Sequence, residues 1–91
     1  MATSKNDAVE NARKDLARRL NIKASDIQEQ SVDDADFPDM ALGAPEDGEM
    51  SGQMITNGWR IKLAAQGQTY EYRADKNQLR AYKFKGKNYR I

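Results

Sequence analysis

Val9, Ala12, Leu16 and Leu20 recur at intervals of three and four residues, with Ala8 and Ala17 beside them. That spacing predicts an amphipathic helix over about residues 5–20. Ser4 stands where an N-cap accepts a backbone N–H, with Asp7 three residues on. Asp7 and Glu10 come early and Arg18 and Arg19 late, the order the helix dipole favours. Asn21 suits a left-handed stop, and Ile22 suits the apolar contact that closes such an end.

The next segment, about 26–37, has Ile27 and Val32 as its apolar members. Five residues apart, they break strict alternation, so an irregular or bulged strand is expected. Residues 38–58 hold both prolines and four of the six glycines, with Met40, Leu42, Met50, Met54 and Ile55 scattered among them. This predicts a long loop pinned onto the core by its apolar side chains. From Trp59 the period falls to two. Trp59, Ile61 and Leu63 alternate with Arg60 and Lys62, and Tyr70 and Tyr72 alternate with Glu71 and Arg73. Strands are expected at about 59–66, 69–75 and 79–85, with turns at Gly67 and at 75–78. The fold class is α+β: a single domain over 1–91, its N-terminal helix packed on a three- to four-stranded antiparallel meander.

Composition narrows the chemistry. The chain has 91 residues with no Cys and no His. Disulfides, thiol catalysis, Cys-ligated metals and imidazole bases are therefore excluded. No apolar run is long enough to span a membrane, and the N-terminus lacks a signal-peptide core. A cytoplasmic protein is expected, or a piece of a longer exported one.

Charge is segregated. Residues 1–23 carry six bases and three acids, residues 24–59 nine acids and no base, and residues 60–91 nine bases and two acids. An acidic segment lying across basic strands would neutralise this internally. Otherwise a charged face is left for a partner.

The stretch from Asp15 to Asp75 resembles a small, uncharacterised bacterial domain family. The resemblance rests on Asp15-Leu16-Ala17-Arg18-Arg19-Leu20, Phe37-Pro38-Asp39, Leu42-Gly43-Ala44-Pro45, Gln53, Gly58-Trp59-Arg60-Ile61-Lys62-Leu63 and Tyr70-Glu71-Tyr72-Arg73-Ala74-Asp75. Asn21 replaces the family's helix-ending Gly, Ala44 its usual Cys, and Arg73 a common His. The resemblance implies a fold and no activity. A looser likeness in layout is to PepSY-type domains, which are associated with peptidase inhibition.

Within the shared pattern, Phe37, Pro38, Asp39, Leu42, Gly43, Pro45, Gln53, Gly58, Trp59, Tyr70 and Tyr72 are expected to be structural. Asp39 would accept backbone N–H groups in its turn, and Gly43 and Gly58 would adopt conformations closed to other residues. Gln53 would tie the loop to the sheet, and the aromatics would fill the core.

Asp33, Asp34, Asp36 and Asp39 are close enough in sequence to hold Ca²⁺ or Mg²⁺, but they lack the spacing and central Gly of an EF-hand. A solvated acidic turn is the expectation, with no metal and no cofactor. The candidate partner surface is Lys76, Arg80, Lys83, Lys85, Lys87 and Arg90, six bases without an acid, interleaved with Tyr82, Phe84 and Tyr89. Bases contact phosphates and exposed aromatics stack on nucleobases. No nucleophile–base pair or phosphate-cradling loop is present, so an enzyme is not expected. The reading is a small binding module for a protein or peptide partner. Nucleic-acid binding through the basic C-terminal strand is the alternative, and a peptidase-inhibitor-like module the third.

Overall fold

The computed structural model describes residues 4–91. Helix α1 (Lys5–Leu20) begins where Ser4 Oγ accepts from the Asp7 N–H at 3.1 Å. It ends at Asn21, whose φ of 55° turns the chain so that the Ile22 N–H donates to the Ala17 carbonyl at 3.0 Å. Ala8, Val9, Ala12 and Leu16 bury one face of the helix against the sheet. Each fully buried Val- or Leu-sized side chain contributes roughly 1.5–3 kcal/mol.

A 3₁₀ turn (Ala24–Asp26) leads into β1 (Gln28–Phe37), followed by β2 (Thr56–Ala65), β3 (Gln68–Ala74), β4 (Leu79–Phe84) and β5 (Lys87–Arg90). Each strand pairs antiparallel with the next, in the order β1-β2-β3-β4-β5. The architecture is one helix on an antiparallel meander. No helix among the described residues is long and apolar enough to cross a membrane.

The sheet has five strands where three or four were expected. Gly86 reads in sequence as a strand end, yet it sits in the hairpin between β4 and β5. Lys83 and Lys85 adopt left-handed φ of 50° and 49°, and the β4–β5 register shifts between Ala81 and Phe84. Side chains rarely accept such φ, at a cost of roughly 1–2 kcal/mol per residue. The carbonyl of the Asn88 side chain partly offsets this by accepting from the Lys83 N–H at 2.8 Å. Two further boundaries move. The 3₁₀ turn delays β1 to Gln28, and Thr56, Asn57 and Gly58 belong to β2, paired with Phe37, Asp36 and Ala35. The loop is therefore 38–55. The irregularity of β1 is a register shift between Glu29 and Ser31.

Alternation gives the sheet two different faces. Ile61, Leu63, Tyr72, Ala74, Leu79 and Ala81 join the helix in the main core, with Val32, Trp59 and Tyr70 at its margin. Arg60, Glu71, Arg73, Arg80 and Tyr82 occupy the other face. The first half of the loop folds over that second face, burying Phe37, Ala41, Leu42 and Ala44.

Candidate functional site

The loop is held by two arginines. Its first turn is closed by Asp39, whose Oδ1 accepts from Ala41 N–H at 2.9 Å and Gly43 N–H at 3.0 Å. Leu42 and Gly43 follow with φ of 60° and 65°. The carbonyls of both accept from Arg73 Nη1, at 3.0 and 3.3 Å. The Arg73 guanidinium lies 3.6 Å from the Tyr82 ring centroid and 5.2 Å from that of Phe37, and its Nε donates to Glu71 at 2.8 Å. A Cβ on Gly43 would stand 2.7 Å from Arg73 Nη1, so a side chain there would be strained by φ and would push the guanidinium off the two carbonyls.

Arg80 holds the second half of the loop. Only 2% exposed, it forms a two-pronged pair with Glu49 at 2.6 and 2.7 Å. It also donates to the Ala44 carbonyl at 3.2 Å and the Gln78 side chain at 2.7 Å. Arg80 was expected on the partner surface. It is instead the largest fully buried side chain, because the acidic loop supplies the acceptors that let a guanidinium leave water. Here the charge segregation is neutralised internally.

The hydrogen bonds from Arg80, then that from the Glu46 N–H, hold the Glu49 carboxyl at about 2, well below its ordinary value of 4.5. A carboxyl whose folded pKa is depressed contributes stability that is fully present above its unfolded pKa and is lost as pH falls through the folded one. Denaturant midpoints are therefore expected to drop between about pH 5 and pH 2, and Glu49→Gln is expected to flatten part of that slope. An unchanged slope would remove Glu49 from the acid response.

Beyond Glu49 the loop's large apolar side chains stand exposed, and so does Met40 before it. Met50 is 96% exposed, Ile55 75%, Met54 66% and Met40 49%. The expectation that these apolar residues pin the loop to the core fails for all four, while it holds for Leu42. With Trp59 they line an open trough of about 760 Å³ between residues 49–59 and the turn at 75–78. Both walls are fixed. The Met40 N–H donates to the Gly52 carbonyl at 2.9 Å, and Gln78 Nε2 donates to the Met40 carbonyl at 2.8 Å. Asp75 shapes the opposite wall, its Oδ1 accepting from the N–H groups of Asn77 and Gln78 at 2.7 and 2.9 Å. Gly58 lets β2 pass close at the floor. A Cβ there would meet the Ala74 carbonyl oxygen at 2.2 Å, so close approach and not a left-handed φ demands glycine.

The remaining expected residues fall outside the trough or at its rim. Lys76 and Arg90 line it and are exposed. Lys83, Lys85 and Lys87 are exposed at the β4–β5 hairpin. The aromatics between them are engaged: Tyr82 under Arg73, Phe84 in the core, and Tyr89 under the Arg19 guanidinium at 4.2 Å. Gln53 is exposed, and the amide that ties the loop to the sheet is that of Gln78. Pro38 and Pro45 are exposed at the two ends of the buried half-loop.

Tyr72 lies in the core, its hydroxyl donating to Asp15 at 2.7 Å. Burial, then that hydrogen bond, pushes its pKa far up. Burial of Asp15 raises its pKa, but donors from Arg19, Tyr72 and Arg18 outweigh that and hold it below the ordinary value. Among the described residues no three acidic side chains converge as metal ligands. Asp33 and Asp34 alternate across β1, Asp36 accepts from Asn57 Nδ2 at 3.0 Å, and Asp39 is spent on its turn.

Sequence reasoning did not single out the trough. The signal was five large apolar residues, Met40, Leu42, Met50, Met54 and Ile55, in a segment rich in Gly and acids. Without knowing which of them the two arginines cover, buried and exposed members look alike.

The family model of a domain of unknown function (DUF8738) matches residues 9–82, a span that contains the whole Asp15–Asp75 pattern. No curated protein and no solved structure matches the chain.

Proposed function

Since the chain belongs to this domain family of unknown function, DUF8738, we propose from the site itself that it is a peptide-binding module whose methionine-lined trough takes an apolar segment of a protein partner. One observation carries the reading. Of the four methionines in the chain, three stand exposed on the walls of one trough instead of filling the core. Contiguous apolar surface held open to water is costly and marks interaction sites. Methionine adds flexible, polarizable contact that adapts to varied side chains. The trough is open, which suits a segment continuing beyond it at both ends. Small-molecule sites bury most of their ligand.

Nucleic-acid binding has weaker support. The hairpin lysines are available for phosphates, but Tyr82, Phe84 and Tyr89 are engaged and leave no free ring for base stacking.

The test is a selection of random linear peptides against the folded protein. Enrichment of sequences with two or more apolar residues, competing with one another for the site, is expected. Trp59, the single tryptophan, lines the trough and reports binding through its emission. A selection that never rises above background would contradict the reading.

A further inference from the structure

We propose that the segment taken by the trough is acidic as well as apolar, with a carboxylate held between Lys76 and Arg90. The proposal rests on the peptide-binding reading and adds the charge of the partner.

Five charged residues line the trough: Glu49, Asp75, Lys76, Arg80 and Arg90. Three of them are satisfied from within. Glu49 and Arg80 neutralise each other in the two-pronged pair. Asp75 accepts the N–H groups of its own turn, so its charge is spent on the fold. What remains is cationic. Among the described residues, neither Lys76 nor Arg90 makes an ion pair. Two further acids stand beside the lining without being part of it: Glu46 accepts from the backbone N–H of Arg90 at 3.2 Å, and Asp36 accepts from Asn57 Nδ2 at 3.0 Å.

The trough therefore offers methionine and isoleucine side chains together with two cations outside any ion pair, Arg90 being also within the field of Glu49, and no unpaired carboxylate in its lining. A basic segment would meet like charge at Lys76 and Arg90 with no carboxylate left to receive it. A neutral segment would gain the apolar contact alone. An acidic one gains both, and charge at the rim selects against wrong partners as well as adding affinity.

The experiment compares peptides selected on the wild type with those selected on a Lys76→Glu/Arg90→Glu variant, whose fold is checked by circular dichroism. On the wild type, enriched apolar sequences are expected to carry at least one Asp or Glu. On the variant, Lys and Arg are expected to replace them. The best wild-type peptide is expected to bind the variant about tenfold more weakly. Its affinity for the wild type should fall a few-fold between 50 and 500 mM salt, an independent reading if the variant does not fold.

Enriched peptides that are neutral or basic, with unchanged salt response, would overturn the charge assignment and leave the peptide-binding reading standing. An absence of enrichment would overturn both. Displacement of the selected peptides by a single-stranded oligonucleotide at similar concentration would assign Lys76 and Arg90 to phosphates instead.

Discussion

Replacing Met50 and Met54 together by glutamine is expected to weaken peptide binding by about 10- to 100-fold while leaving the fold intact. The two effects separate because of where these side chains stand. Both are mostly exposed, so the folded state gains little from them, and surface substitutions of this kind change stability by about 0.5 kcal/mol or less. A bound segment that covers them would remove their apolar surface from water, worth roughly 25 cal/mol per Å². Glutamine keeps length and flexibility and forfeits that gain. It also adds no charge, so its effect stays distinct from that of Lys76 and Arg90. Isothermal calorimetry against a selected peptide measures the loss, and thermal melts measure the stability. Unchanged affinity would show that the segment binds elsewhere.

Replacing Arg80 by alanine is expected to do the reverse, lowering unfolding stability by about 3 kcal/mol. The guanidinium fills a fully buried site and makes four hydrogen bonds, three of them to the loop. Its removal leaves a cavity and an unpaired Ala44 carbonyl. Glu49, being partly exposed, can return to water, which keeps the cost below that of a stranded buried charge. For a domain of this size the melting temperature should fall by about 15 °C. Hydrogen exchange should show where the loss begins. Amides at 39–49 should lose protection first, while those of α1 stay protected to the global limit. A change under about 0.5 kcal/mol would mean that Arg73, Gln78 and Asn88 hold the loop without Arg80.

The contrast between these two substitutions traces what could be read from residues alone. The helix was legible because one stripe and two caps agree: Val9 to Leu20, Ser4 and Asn21. The central strands were legible because Ile61, Leu63 and Tyr72 alternate with charges that the second face accommodates. The fifth strand was not, since two lysines in left-handed conformations give no local signal and Gly86 looks like an end.

The site was hidden for a related reason. Six bases in one stretch look equivalent in sequence, yet Glu49, thirty-one residues earlier, removes Arg80 from the surface. Burial of a charge depends on a partner whose distance along the chain no pattern reveals. The same holds for the loop's apolar residues. Leu42 is covered because Arg73 draws the Leu42–Gly43 carbonyls down, while Met50, Met54 and Ile55 lie beyond the last such tether.

The most direct test follows the methionine methyl groups and backbone amides by NMR during titration with a selected peptide. If the trough is the binding site, the Met40, Met50 and Met54 methyls and the amides of 75–78 shift together and saturate with one affinity, while the amides of 83–87 stay in place. Shifts concentrated at Lys83–Lys87, with the three methyls unmoved, would contradict a binding site between residues 49–59 and the 75–78 turn.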